Sequence, residues 1–218
     1  GLDEYLGSTR YPTSAWQVGE VIKQTHQVRV PDDVSTPTLY WFTVGLYDAP
    51  GSELWPVTAD GNAVPNRVMR LGPLHVLAPP AALSTPQQTP APPHQLGEAI
   101  RLVGYDLAPG NDTLTVTLHW QAKDTPREDL IAFVHMLDPA GNLVAQDDRR
   151  PRQEEYPTWA WQAGDHVPDI HPLRLPTHLT PDQYRLVAGL YNSQDGTRLP
   201  VWEADGSRMP NEVVPLGE

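Results

Sequence analysis

Residues 11–19 read YPTSAWQVG and residues 156–164 read YPTWAWQAG. This self-similarity constrains the chain more than any other feature of it. The match continues in order: His26, Arg29 and Pro31 align with His171, Arg174 and Pro176, all at an offset of 145 (171 less 26). After a one-residue gap, Val44-Gly45-Leu46-Tyr47 meets Ala188-Gly189-Leu190-Tyr191. Pro56-Val57 then meets Pro200-Val201, Asp60-Gly61 meets Asp205-Gly206, Pro65-Asn66 meets Pro210-Asn211, and Leu71-Gly72 meets Leu216-Gly217. Ordered matches over this length mark tandem copies of one structural unit.

The copies are cut differently. Copy two has a long stretch before its YPT motif, from Leu96 to Glu155, where copy one has ten residues. Copy one runs on past Leu71-Gly72 into PLHVL, which reads as one more strand, and copy two stops at Glu218. The expectation is a piece of a longer protein, with residues 1–77 a partial repeat holding only the later strands and 96–218 a nearly complete one. Residues 78–95 are rich in Pro, Ala, Gln and Thr without a charged side chain, the composition of an extended, semi-rigid linker. A truncated copy with an open edge invites strand pairing, so a homodimer through residues 1–77 is an expected partner arrangement.

Copy two parses into strands. In 113–120, Leu114, Val116, Leu118 and Trp120 alternate with Thr113, Thr115, Thr117 and His119, the period of a half-buried strand. Residues 99–106 and 143–145 add strands, and 130–137 is apolar on both faces, as in a central strand. Residues 166–175 carry Pro168 and Pro172, which cannot donate to a ladder and place this strand at an edge. Residues 183–191 are expected to return through the Asp195-Gly196 turn onto 199–202. About seven strands in copy two, the 25 prolines and 16 glycines of the chain, and no helical period predict an all-β fold. The architecture expected is an immunoglobulin-like, Greek-key sandwich in two tandem copies. Copy one should repeat strands at 20–30, 38–48, 53–57 and 66–77.

The YPT-x-x-W-x-x-G-[ED] motif, the GLY triplets at 45–47 and 189–191, and Trp-Pro-Val or Leu-Pro-Val after them carry a resemblance. So do Ile100 to Asp106, Leu118 to Ala122 and Phe133 to Asp138. Together they resemble the C-terminal extracytoplasmic β-sandwich repeats of bacterial multi-pass membrane glycosyltransferases of the dolichyl-phosphate-mannose mannosyltransferase type. The resemblance implies a soluble tail on the extracytoplasmic side, with the transferase chemistry in a membrane part outside these residues. It brings no catalytic residue with it.

Composition and motifs narrow the chemistry. A net charge of −12 gives no basic surface for a phosphate backbone, so nucleic acid is not an expected partner. With no cysteine, disulfides, cysteine zinc sites and thiol nucleophiles are excluded. His166, Asp169 and His171 stand close together with ligand-type side chains, but only the histidine of 171 recurs, as His26. A hydrogen-bonding role is the expectation, with no metal and no cofactor. Asp147, Asp148, Glu154 and Glu155 lie in a charged loop with Arg149, Arg150 and Arg152 and read as a solvated, internally paired surface rather than a catalytic carboxylate pair.

Tyr11, Trp16, His26, Gly45 and Tyr47 recur as Tyr156, Trp161, His171, Gly189 and Tyr191 and are read as determinants of the repeat fold. Trp159 takes the place of Ser14, and Trp41, Trp55 and Trp202 are unmatched between copies. An indole offers an apolar face with a polar edge, so these four are the candidate glycan contacts. The function expected is a non-catalytic extracytoplasmic accessory domain that meets a glycan or another protein domain. An independent carbohydrate-binding module and a glycan-active enzyme are the alternatives.

Overall fold

A computed structural model describes residues 7–8, 11–48, 51–77, 85–89, 93–176, 183–203 and 205–217. They fall into two compact units, Gly1–Ser35 and Thr36–Glu218. In the first, β1 (Gly7–Ser8) pairs antiparallel with β2 (Tyr11–Pro12), and a 3₁₀ turn, Thr13–Ala15, follows.

The second unit holds two sheets that share one apolar core. A five-stranded sheet runs β12 (His166–Arg174), β9 (Thr113–Ala122), β8 (Ile100–Pro109), β7 (His94–Leu96) and β14 (Val201–Trp202). A four-stranded sheet runs β11 (Leu143–Arg149), β10 (Leu130–Leu137), β13 (Arg185–Asn192) and β15 (Val214–Leu216). Every pairing in them is antiparallel. Leu102, Leu114, Val116, Leu118 and Trp120 from the first sheet meet Leu130, Ala132, Val134, Leu190 and Leu216 from the second in a single buried cluster. The chain is an all-β protein with an immunoglobulin-like sandwich, and the alternation at 113–120 sets the inner face of β9 as expected. β12, with its two prolines, is an edge strand.

Copy one supplies β3 (Thr38–Val44), which pairs with β6 (Met69–Val76), and a short hairpin of β4 (Thr58–Ala59) and β5 (Asn62–Ala63). One end of the β3–β6 pair docks on copy two: the Leu39 N–H donates to Glu155 O at 3.1 Å, and His75 Nδ1 lies 3.2 Å from the Tyr156 hydroxyl.

Four readings are corrected. Residues 20–30 form no strand; the equivalent β12 is held by a ladder to β9, and the described residues of copy one hold no counterpart of β9. Residues 53–57 form no strand either, since Leu54 makes only an isolated bridge to Tyr47. Residues 199–202 begin a return on β13, with the Leu199 N–H on Leu190 O. Val201 and Trp202 then cross to the other sheet and pair with β7. Finally, the described part of 78–95 is not all linker. Gln88 exchanges both backbone hydrogen bonds with Tyr105, and His94 and Gln95 are in β7, because the free edge of β8 is satisfied by the chain that precedes it.

Candidate functional site

The open side of the sandwich, where edge strands β11 and β12 approach, is closed by a buried polar cluster. Asp169 and His171 are two residues apart on β12, so both side chains point inward, as the sequence spacing requires. Asp147 points inward from β11. His171 is wholly buried; its Nδ1 meets Asp147 Oδ2 at 2.8 Å and its Nε2 meets Asp169 Oδ2 at 2.9 Å. Arg149 pairs with the second Asp147 oxygen, and the Arg152 N–H donates to Asp169 Oδ1 at 3.0 Å.

Burial by itself would lower the His171 pKa, but the two carboxylates outweigh it and raise it to about 9. The imidazolium therefore donates from both nitrogens. Burial would raise the Asp147 carboxyl, yet the hydrogen bonds from His171 and Arg149 hold it below its ordinary value. With both ring nitrogens spent on carboxylates, His171 ties one sheet to the other rather than standing ready to take a proton from a substrate.

The HVPDIH segment is thus divided by the pleat. His166 faces outward, where its ring centroid lies 5.3 Å from that of His119. His119 is buried on that outer face and bonds through Nε2 to Asp106 at 2.9 Å. Asp106 also accepts the Gln87 N–H at 2.6 Å, so the segment at 85–89 helps cover this face. Among the described residues no group of three or more His, Asp or Glu side chains is placed to hold a metal ion.

The repeat determinants build one local device twice. Trp161 Nε1 donates to Tyr156 O at 2.9 Å, the Tyr156 hydroxyl donates to Asp165 Oδ2 at 2.5 Å, and that oxygen also accepts the Gln162 N–H at 2.8 Å. In copy one Trp16 Nε1 donates to Tyr11 O at 3.4 Å, Tyr11 bonds Glu20 at 2.5 Å, and Glu20 accepts the Gln17 N–H at 2.9 Å. Tyr156 and Trp161 are buried, whereas Tyr11 is exposed. Burial, with the Asp165 bond, pushes the Tyr156 hydroxyl pKa far up. The glycines of the two GLY triplets both sit at close approaches, tighter at Gly189 than at Gly45. A Cβ on Gly189 would stand 2.4 Å from Phe133 Cζ, and one on Gly45 would stand 2.8 Å from Leu54 Cδ2. Tyr191 reaches Asp148 at 3.3 Å beside His135, which lies 3.0 Å from the same carboxyl group. Tyr47 forms the bridge to Leu54. His26 is exposed and does not repeat the enclosure of His171.

Of the four candidate glycan contacts, Trp41, Trp55 and Trp159 are exposed and Trp202 is half-buried. Among the described residues no stacking contact joins any two of them. Trp41 lies under the Arg70 guanidinium at 4.0 Å and Trp202 has Arg208 at 5.9 Å. The Trp55 N–H donates to Leu46 O at 2.7 Å, and the residue is 50% exposed. Trp159, 47% exposed, is presented by the 3₁₀ turn Thr158–Ala160. Thr158 pins that turn, since its hydroxyl donates to Glu128 O at 2.8 Å and accepts the Leu130 N–H at 3.0 Å.

The charged run is paired within itself only in part: Arg150 meets Glu154 and Arg152 meets Glu155, whereas Asp147 turns inward to His171, Asp148 meets His135 and Tyr191, and Arg150 also reaches Asp129 outside the run. Sequence reasoning missed Asp147 as the partner of His171 and Asp106 as the partner of His119. The first left a trace, since Ala145, Asp147 and Arg149 share the inner face of β11, where apolar side chains would be expected.

No protein-family model matches the chain, and no curated protein sequence matches it. Among solved structures, chicken MD-1, determined in complex with lipid IVa, is similar to this chain at 14% identity and a TM-score of 0.27. The match covers 50% of this chain and 93% of that one.

Proposed function

We propose that the chain is a non-catalytic accessory and interaction domain on the extracytoplasmic side of a membrane, the soluble tail of a membrane-bound glycosyltransferase of the type its repeats resemble. The observation that carries the interaction role is Trp159. A large indole stands in solvent on a turn fixed by two hydrogen bonds through Thr158, at the position where copy one has Ser14. A pinned aromatic loses little conformational freedom when it meets a sugar ring or a protein surface. The His171 cluster supports the non-catalytic reading, because its groups are enclosed and mutually bonded.

The test is a glycan array probed with the purified chain beside Trp159→Ala, together with an assay for sugar release from the same glycans. Saturable binding that the variant loses makes this a carbohydrate-recognition module, with its site at the YPT loop of copy two. Binding that the variant keeps moves the contact away from Trp159. Sugar release by the wild-type chain, abolished by Asp147→Asn, would overturn the non-catalytic reading.

A further inference from the structure

The two copies share one strand pair and differ in what lies on it. In copy two Leu186 is opposite Leu216 and Ala188 is opposite Val214. In copy one Phe42 is opposite Leu71 and Val44 is opposite Met69. The shifts from copy one to copy two are 144 for both residues of β3 and 145 for both residues of β6, so the register is the same. Directly opposed residues share a face, as do residues two apart, so each pair presents four apolar side chains on one side. In copy two none of the four is more than 4% exposed; in copy one they are 37 to 53% exposed. The reverse face of the copy-one pair carries Thr43 opposite Arg70, with the Trp41 ring under the Arg70 guanidinium. One face of the pair is thus a patch of four exposed apolar side chains, the kind of sheet face that a second layer covers.

Copy two displays the cover that fits. There the same four positions lie in one core cluster with the five-stranded sheet, whose β8 and β9 bring Leu102, Val116, Leu118 and Trp120. The Thr38–Val76 end of the copy-one pair is already docked on copy two through Leu39 and His75. By alternation along β3, Leu39 lies with Trp41 and Thr43 on the reverse face, so this docked end leaves the apolar face of Phe42 and Val44 uncovered.

We propose that the face formed by Phe42, Val44, Met69 and Leu71 accepts an antiparallel strand pair of the β8–β9 type, supplied by a polypeptide segment outside these 218 residues. The occupant has Leu, Val or Trp at alternate positions toward this face and Thr-like residues away from it. The inference is independent of any glycan site at Trp159.

The experiment joins a second copy of residues 94–123 ahead of residue 1 through a flexible Gly/Ser linker. Amide hydrogen exchange is then followed in residues 38–44 and 69–76, in the fusion and in the unmodified chain. The result expected is exchange slowed by about tenfold or more in both strands of the fusion. Leu71→Glu in the fusion should restore fast exchange, and the unmodified chain should sediment as a monomer. Unchanged exchange in the fusion overturns the proposal. So does an unmodified chain that sediments as a dimer and is dispersed by Leu71→Glu, because the occupant is then a second copy.

Discussion

Replacing His171 by Gln tests whether the buried cluster holds the sandwich closed. The substitution removes the imidazolium that stands between two carboxylates, and Asp147 and Asp169 are left facing each other across the seam with one neutral amide between them. With the His171 pKa raised from 6.5 to about 9, linkage gives a contribution of about 3 kcal/mol at pH 6, since each unit is worth roughly 1.4 kcal/mol. Breaking one member of a buried charged set costs about the same. In a chain of this size that corresponds to a fall in Tm of roughly 6–12 °C.

The sign is fixed by the direction of the shift. A histidine whose folded pKa is raised binds more protons folded than unfolded. Its stabilisation is complete below about 6.5 and is lost as pH rises through about 9. Asp147 acts in the opposite direction: its lowered folded pKa gives stability above the ordinary carboxylate value that is lost on acidification. His94 and His166, lowered chiefly by burial, titrate below the window from 6.5 to 9, and the raised Tyr156 titrates above it. Thermal unfolding followed by tryptophan fluorescence at pH 6, 7.5 and 9.5 reads the effect. The wild type should lose Tm across that series and His171→Gln should lose far less. Equal Tm values at pH 6, or parallel pH dependence in the two proteins, would refute the assignment of the cluster as a charged fastener.

Tyr156→Phe removes the hydroxyl that bonds the Asp165 carboxylate inside the fold and should cost about 1.5–3 kcal/mol in urea unfolding. Tyr11→Phe, at the exposed twin position, should leave the midpoint close to wild type. Gly189→Ala should destabilise by about 1–3 kcal/mol, because Phe133 must give way, and adding Phe133→Leu should recover part of that in the same assay. Trp161→Ala should cost about 3–5 kcal/mol as a cavity in the core. Trp159→Ala should stay within about 0.5 kcal/mol of wild type by thermal melting.

The strands that build the core of copy two were legible because alternation and edge prolines are local signals. Thr113 to Trp120 declares its inner face residue by residue, and Pro168 and Pro172 declare an edge. The recurrence of the YPT motif was also a true guide to structure, since the same backbone turn and the same tyrosine–carboxylate bond are found at 11–20 and 156–165. What sequence could not give was partnership across sheets. Asp147 and His171 are 24 residues apart on strands of different sheets, and nothing local shows that their edges meet. The crossing of Val201 and Trp202 to β7 was hidden for the same reason, since a turn signal such as Asp195-Gly196 specifies a reversal but not how far the pairing runs. Residues 20–30 resemble a strand in composition, yet a strand exists only where another supplies its ladder.

The comparison of copies separates what a repeat specifies locally from what it gains by burial. Asn66 and Asn211 both take the left-handed conformation, with φ of 58° and 59°, so the turn that feeds β6 and the turn that feeds β15 are the same turn. Asparagine tolerates that region better than most residues, and the strand register follows from it without help from a core. Burial does not follow: the face that is enclosed in copy two stands open in copy one. Local devices of this kind fix geometry but contribute little free energy unless an apolar face is covered. The β3–β6 pair should therefore open well below the global unfolding free energy, while β9 and β10 exchange only with it. Native-state exchange in low urea would separate the two classes. Protection of β3 equal to that of β10 would show that turn and register alone can hold this strand pair, and the case for a missing cover would lose its physical basis.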